Sequence, residues 1–172
     1  MLGLDAIYRA EAGRISAWIR RLDPEGDTED LLHEVFLVVE KRLSSFRGDS
    51  ALGTWLHAIT ARVVSAKRRR RRVRRFLFGR EEAGIRAERR APRTPEELFE
   101  GREVGLLLYE LLDSLSERDR MLLILHELDG LSGAELAEVA GLSPSGVFVA
   151  LHRARARLRR AFVARCGEPE RP

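Results

Sequence analysis

GAELAEVAGLSPSGVFVALH, residues 133–152, reads as two helices joined by a tight turn. Ser132 is placed to cap the first helix, and Glu135 three residues later completes a capping box. Leu136, Ala137, Val139 and Ala140 give that helix its apolar face. Gly141 stands where a left-handed backbone would turn the chain sharply. Ser143 and Pro144 suit the N-cap and first position of a second helix. On that helix Val147, Leu151, Ala154, Leu158 and Phe162 recur at helical spacing along one face. A small residue, a turn glycine and a branched apolar residue (Ala137, Gly141, Val147) let two helices cross closely, as in a helix-turn-helix.

Capped helix pairs occur in many all-α proteins, so the flanking charge decides what this one does. Arg153, Arg155, Arg157, Arg159 and Arg160 follow with no acid before Arg165. Such a patch binds nucleic acid by releasing counterions from phosphates. The chain has 172 residues, enough for one ordinary domain or two small ones. A net charge of +4, with 34% charged and 44% hydrophobic residues, is a globular composition. The charge is unevenly placed. Residues 67–75 are basic at every position except Val73, whereas 23–34 are mostly acidic or apolar. That asymmetry predicts one surface for nucleic acid and another for a different partner. Cys166 is the only cysteine, which excludes an internal disulfide and a cysteine-based zinc cluster. With no signal-peptide pattern at the start and no apolar run of spanning length, a cytoplasmic protein without membrane insertion is expected.

Working back along the chain, Leu4, Ile7, Tyr8, Ile15, Trp18, Ile19 and Leu22 outline a first amphipathic helix, broken by Pro24 and Gly26. A second helix, capped by Asp27 or Thr28, runs to about Leu43. Its apolar set, Leu31, Leu32, Val35, Phe36, Leu37, Val38 and Val39, is wider than one stripe. Two readings fit: a central helix buried all round, or a helix with a second apolar face for a partner. Phe46–Ser50 is turn chemistry, and Ser50 is a candidate cap for a third helix with Leu52, Trp55, Leu56, Ile59 and Val63 as core. That helix runs into the basic tract, which is expected to end it or carry it into solvent. Phe76 and Phe78 follow, and basic groups beside aromatics suit single-stranded nucleic acid. Residues 76–93 keep no period and read as a linker between two domains, 1–75 and 94–172. Thr94-Pro95-Glu96-Glu97 is a helix start, with Val104, Leu107, Leu108, Leu111 and Leu112 as its apolar face. Ser116 starts the next helix, with Met121–Leu125 and Leu128 as core and Asp129-Gly130 as its end. No strand period occurs, so the fold class is all-α.

The sequence offers no catalytic constellation. His33-Glu34 is not a zinc-protease start, because Leu37 takes the second histidine's place. Gly141-Leu142-Ser143-Pro144-Ser145 lacks the closing glycine of a nucleophile elbow. There is no Walker loop and no dinucleotide fingerprint. A binding protein is expected, with no catalytic residue, cofactor or metal.

With these elements placed, the chain resembles the bacterial RNA polymerase sigma factors of the extracytoplasmic-function (ECF) subgroup. Three stretches carry the resemblance. DLLHEVFL (30–37) looks like the helix by which the family's first domain grips polymerase. SFRGDSALGTWL (45–56) is close to a family signature. LSERDRM (115–121), ELDGLS (127–132) and LHRAR (151–155) match the approach to, and close of, the family's C-terminal helix-turn-helix. The resemblance implies a subunit that docks on core RNA polymerase and directs promoter-specific initiation, and many members are held inactive by an anti-sigma factor. Polymerase binding is implied for Asp30, His33, Glu34, Leu37, Val38 and Lys41. Contact with the minus-ten element is implied for Arg62, Ser65, Lys67, Arg68, Arg69, Arg70 and Arg71. Contact with minus-thirty-five duplex is implied for Ser145, Phe148, Val149, Ala150, Arg153 and Arg155.

The chain departs from the family's pattern at two places. Phe148, Val149 and Ala150 stand where members commonly carry polar or basic residues in the exposed turns of the recognition helix. Ala61-Arg62 and Ala66 stand where many members have an Arg-Asn pair and a later Asp. Apolar side chains contact thymine methyls but make no bidentate bonds to guanine or adenine. A rival reading therefore stays open, that of a sigma-like interaction module or regulator that uses Phe148 and Val149 on a protein and does not itself direct initiation.

Overall fold

The structure, a computed structural model, describes residues 3–48, 50–78 and 99–167, apart from the side chains of 78 and 99–103. Seven α-helices occur among them and no strand: α1 (Leu4–Leu22), α2 (Thr28–Leu43), α3 (Leu52–Phe78), α4 (Phe99–Asp113), α5 (Glu117–Leu123), α6 (Gly133–Ala140) and α7 (Pro144–Cys166). A π-helical turn, Ile124–Leu128, prolongs α5. The expected helix start at Thr94–Glu97, most of the 76–93 linker, Asp49 and the Phe78 ring lie outside the described residues.

The expected caps form. The Asp27 carboxylate accepts from the backbone N–H groups of Glu29 and Asp30 and starts α2. Ser116 starts α5 by accepting from the Asp119 N–H. The Ser132–Glu135 capping box starts α6, and the Ser143 hydroxyl accepts from the Gly146 N–H at the start of α7. The third helix begins slightly later than Ser50 suggests. The Trp55 N–H bonds the Ala51 carbonyl, so the capping position falls on Ala51.

The turn between α6 and α7 works as a left-handed glycine permits. Gly141 has φ 64° and ψ 40°. The Leu142 N–H reaches back to the Ala137 carbonyl at 3.0 Å and the Gly141 N–H to Glu138 at 3.3 Å, a Schellman pair that closes the helix end. α7 then leaves at 92° to α6. Ala137 and Val147 are buried at the crossing, as the spacing predicted.

α3 is the element both ends of the chain pack on. It meets α1 and α2 on one side, and α5 and α6 on the other. Thr54, Leu56, His57, Ile59, Thr60, Ala61 and Val64 are all buried along it. Three of these, Leu56, Ile59 and Val64, each contribute about 1.5–3 kcal/mol by leaving water. The Thr60 hydroxyl is satisfied by the Leu56 carbonyl at 2.8 Å. The central helix is thus α3 and not α2. α2 packs on α1 and α3 through Leu31, Val35, Phe36 and Val39, and it leaves Leu37 42% exposed. α2 is therefore not buried all round, and Leu37 remains as apolar surface on it.

Val63 packs half-buried against the core, as Leu52 and Trp55 do, and Val64 is buried as well, because α3 is covered on two sides. Two core expectations are corrected. Leu128 is 45% exposed. The π turn adds a residue to the last helical turn, with the Asp129 N–H bonding Ile124 five residues back, and this rotates Leu128 outward. Val104 is exposed, because α4 buries Leu111 and Leu112 near its C-terminal end. The basic tract does not end α3. The helix continues through it as far as Phe78.

Replacing Gly141 by Ala should lower stability by about 1 kcal/mol, since alanine resists the left-handed region. Gly133, which has open space around it and no positive φ, is the control. Its replacement by Ala should be neutral or slightly stabilising. Thermal melts of the two variants compare these effects.

Candidate functional site

The basic tract is divided by the helix that carries it. At ~100° per residue, Arg68, Arg71 and Arg75 lie on one side of α3, and Arg62, Arg69, Val73 and Phe76 on the opposite side. The first side is occupied by the chain's own acids. Arg68 is 8% exposed and bonds Asp23 at 3.2 Å, Asp113 at 2.6 Å and Glu117 at 3.1 Å. Arg71 clasps both oxygens of Asp23, at 2.6 and 2.9 Å. Arg75 bonds Glu25 at 2.6 Å. Lys67 pairs with Asp30 at 3.1 Å and also with Glu34. The acidic 23–34 stretch therefore faces the basic tract within the same chain.

The opposite side is open. Arg62, Arg69 and Arg70 are exposed and make no ion pair among the described residues. Phe76 is 89% exposed. Ser65 is half-buried, with its hydroxyl toward the Met121 sulfur at 3.9 Å. Of the seven residues assigned to minus-ten contact, Arg62, Arg69 and Arg70 are free, Ser65 is half-buried, Arg68 is buried, and Lys67 and Arg71 hold carboxylates.

Arg68 also joins the first three helices to the later ones. Asp23 precedes α2, whereas Asp113 ends α4 and Glu117 opens α5. Arg120, fully buried, bonds Asp113 at 2.9 Å and donates to the Leu22 carbonyl. Arg21 on α1 pairs with Asp129 after the π turn. Burial opposes the Arg68 charge, but Asp113, Glu117 and Asp23 outweigh it and hold the proton more firmly. Arg120 moves the other way, lowered by burial and then by Arg68 beside it. Burial raises the Asp129 carboxyl, and Arg21 opposes that shift. Asp23 is held tightly from behind. A Cβ on Gly26 would stand 2.5 Å from its carboxylate oxygen and 2.8 Å from Leu31 Cδ1.

His57 lies at the same junction. Its ring stacks on Trp18 with centroids 3.3 Å apart, and Arg14 sits over the Trp18 ring at 5.3 Å. Its Nε2 is buried without a hydrogen-bond partner. Burial, then Arg14 and Arg21 on α1, lower its pKa to about 4, against a small opposing effect of Glu135 on α6 and a backbone hydrogen bond with Gly53.

The residues assigned to polymerase share one side of α2. Asp30, His33, Leu37 and Lys41 are exposed, and Glu34 and Val38 are half-buried. Glu34 and Asp30 are also the partners of Lys67, so this face and the basic tract adjoin. The pairing was not visible in the sequence, where these groups stand more than thirty residues apart.

On α7, Ser145, Phe148, Val149, Arg153 and Arg155 are exposed and Ala150 is half-buried. Phe148 is 74% exposed. Arg155 pairs with Glu127, and Arg157 with Asp119 at 2.7 Å. A groove of about 550 Å³ runs beside the start of α7, lined by Arg118, Ser145, Val149, Arg153 and Arg157 among others. Arg157 belongs to the basic patch read from the sequence, whereas Arg118 in that groove was not singled out there.

Residues 7–75 match the family model described as Sigma-70 region 2, and residues 105–158 match Sigma-70 region 4. The chain is similar to the ECF RNA polymerase sigma-E factor of Escherichia coli K12, at 32% identity over 149 residues, covering 83% of this chain and 77% of the relative. It is similar to the ECF RNA polymerase sigma factor SigE of Mycolicibacterium smegmatis, at 30% identity over 90% of this chain and 60% of that one. Two solved structures share the fold. The sigma factor RpoE from Bartonella quintana, in complex with the anti-sigma factor NepR, aligns with a TM-score of 0.63 at 22% identity, covering 90% of this chain and 93% of that chain. CnrH, in complex with the cytosolic domain of CnrY, aligns with a TM-score of 0.62 at 21% identity, covering 94% and 88%.

Two outcomes follow for the junction. Replacing Arg68 by Ala strands Glu117, leaves Asp113 to Arg120 alone and should cost up to about 3 kcal/mol, since removing one partner of a buried ion cluster is expensive. Replacing the exposed Arg69 should cost almost nothing. Thermal melts measure both, and small-angle scattering should show a larger radius of gyration for the Arg68 variant alone. The second concerns pH. With His57 near 4 in the folded chain and 6.5 when released, the unfolded chain binds the extra proton between those values. The His57 contribution is complete above pH 6.5 and is lost as pH falls toward 4, on the order of 2 kcal/mol in all. Subtracting the pH–stability curve of a His57→Gln variant should isolate that slope. Parallel curves for the two proteins would refute it.

Proposed function

The chain belongs to the ECF subgroup of the sigma-70 family, and from that premise we propose how its exposed faces share the work of a sigma factor. As a sigma factor it binds core RNA polymerase and directs promoter-specific transcription initiation. The observation that carries this is the match to region 2 and region 4, in that order, along one chain. The rival reading, a module that does not initiate, is not favoured, because the matches include both regions.

Residues 1–75 form the domain that docks on polymerase and handles the minus-ten element. Residues 94–172 form the domain that binds upstream duplex, with 76–93 as linker, although its first three residues continue α3. The spare α2 face, centred on Leu37 with His33, Val38 and Lys41, meets polymerase, which explains why an apolar residue stays in water there. The open side of α3 takes the opened minus-ten strand. Arg62, Arg69 and Arg70 neutralise phosphates, and Phe76 offers a ring for a base. Arg68, Arg71 and Lys67 join them only by exchanging carboxylates for phosphates. The exposed face of α7 enters the major groove. Of the two solved structures of this fold, one holds the sigma factor RpoE with the anti-sigma factor NepR, and the other holds CnrH with the cytosolic domain of CnrY. An anti-sigma factor is therefore a second partner for the α2 face. Its site of action is the cytoplasm, with polymerase. No helix among the described residues is long and apolar enough to cross a membrane.

Reconstitution with purified core polymerase and run-off sequencing tests this reading. Leu37→Asp should weaken core binding about tenfold or more, as loss of a central apolar contact does. Arg69→Ala with Arg70→Ala should leave core binding intact and lower open-complex formation, with the salt dependence flattened by roughly one contact per arginine. Absence of any defined start site with the intact protein would overturn the sigma function.

A further inference from the structure

α7 carries a stripe that is apolar in the middle and basic at both edges. Ser145, Phe148, Val149, His152 and Ala156 follow one another at helical spacing, and every one is exposed. They lie opposite Val147, Leu151 and Ala154, which fasten the helix to the rest of the chain. Phe148 and Val149, at 74% and 45% exposure, gain nothing from the fold by standing there.

The arginines frame this stripe. Arg153 and Arg157 lie on the Val149 side, continuing into the groove beside α5. Arg155 and Arg159 lie on the Phe148 side; Arg155 and Arg157 also hold Glu127 and Asp119, and Arg153 and Arg159 make no ion pair among the described residues. α7 carries no acid anywhere. A surface with cations along two edges and an apolar centre matches a DNA major groove, which has phosphates along both walls and base edges on its floor. A protein partner would need acids along both edges to match the same pattern.

The centre of the stripe also limits which bases it can read. Guanine is read in the major groove by the paired donors of an arginine or lysine, and adenine by the amide of Asn or Gln. None of those side chains lies among the five stripe residues. Ser145 and His152 each offer at most single bonds, and the Ser145 hydroxyl is near that of Ser143 at 3.2 Å. The group in the groove that an exposed phenyl ring and a valine can recognise is the C5 methyl of thymine.

We propose that Phe148 and Val149 are specificity-determining residues that read thymine methyl groups, so that the upstream element this chain selects is marked by T·A pairs. This rests on the reading of α7 as the duplex-binding helix. Phosphate contacts by the flanking arginines set the register of the helix, and methyl contacts choose the sequence. Desolvating one methyl is worth about 0.8 kcal/mol, which corresponds to roughly a fourfold change in affinity.

The test uses holoenzyme reconstituted from the full chain and core polymerase. Duplexes randomised upstream of the start site are enriched on it. The enriched sequence is then remade with deoxyuridine at each thymine, which removes the methyl and leaves every hydrogen-bonding group in place. The intact protein should lose about fourfold in affinity at each contacted thymine and nothing at the others. Phe148→Ala with Val149→Ala should bind thymine and deoxyuridine duplexes equally, with core binding unchanged. Arg153→Ala should weaken both duplexes alike and keep the thymine preference. Equal binding of both duplexes by the intact protein overturns the proposal alone. A double variant that keeps the full thymine preference also overturns it and leaves the stripe to a protein partner. Failure to enrich any upstream element overturns the reading of α7 as a duplex-binding helix and the proposal with it.

Discussion

A guanidinium buried to 8% exposure needs its charge answered on every side, and Arg68 is answered from three separate parts of the chain. Asp23 comes from the turn after α1, Asp113 from the end of α4 and Glu117 from the start of α5. Withdrawal of any one carboxylate would leave one Arg68 nitrogen buried without its acceptor. A buried cluster of this kind adds little net stability over a well-packed apolar core. Its effect is to fix position. Two long side chains, Arg68 and Arg120, share Asp113, and Arg120 reaches across to the Leu22 carbonyl. The ends of α1, α4 and α5 are thereby set against one helix.

The same cluster divides the basic tract into two kinds of arginine. Those turned toward the acids are structural in this arrangement, and those turned away keep their charge for a ligand. Phosphate and carboxylate compete for the same guanidinium geometry. A nucleic acid that used Arg68 or Arg71 would therefore have to displace Asp23, whose carboxylate is backed by Gly26 and Leu31. Arg62, Arg69 and Arg70 impose no such exchange. An anion can thus meet the open side without disturbing the packing of the two ends of the chain.

Much of this was legible from residues alone. The caps at Asp27, Ser116, Ser132 and Ser143 and the turn at Gly141 each rest on local chemistry, and local chemistry is written in neighbouring positions. The spare face of α2 showed as an excess of apolar residues. The pairing of 23–34 with 67–75 did not show, because opposite charges distant in sequence give no sign of whether they meet each other or solvent. The burial of Val64, Thr54, His57 and Thr60, which the expected face lacks, has one cause. A helix covered on two sides has no single face for a period to mark. Leu128 failed for a different reason: one π turn shifts the register, and nothing in Ile124–Leu128 announces it.

His57 and Asp129 show what the packing of the two ends requires in return. Each is a titratable group held in a poor setting, with a buried polar atom left unpaired, Nε2 in one and Oδ2 in the other. Both face α1 residues, Trp18 and Arg21, from elements later in the chain. Their shifts have a common direction in energy: for His57 the neutral form is favoured, and for Asp129 burial also favours the neutral form. Each group would be better solvated if α1 moved away from it, but Asp129 would then lose its ion pair with Arg21. Arg68 and its carboxylates act the other way, since separation would expose ions that now satisfy one another. The junction is therefore a balance between an ion cluster that closes it and two desolvated side chains that oppose closure, with α3 as the surface on which both act.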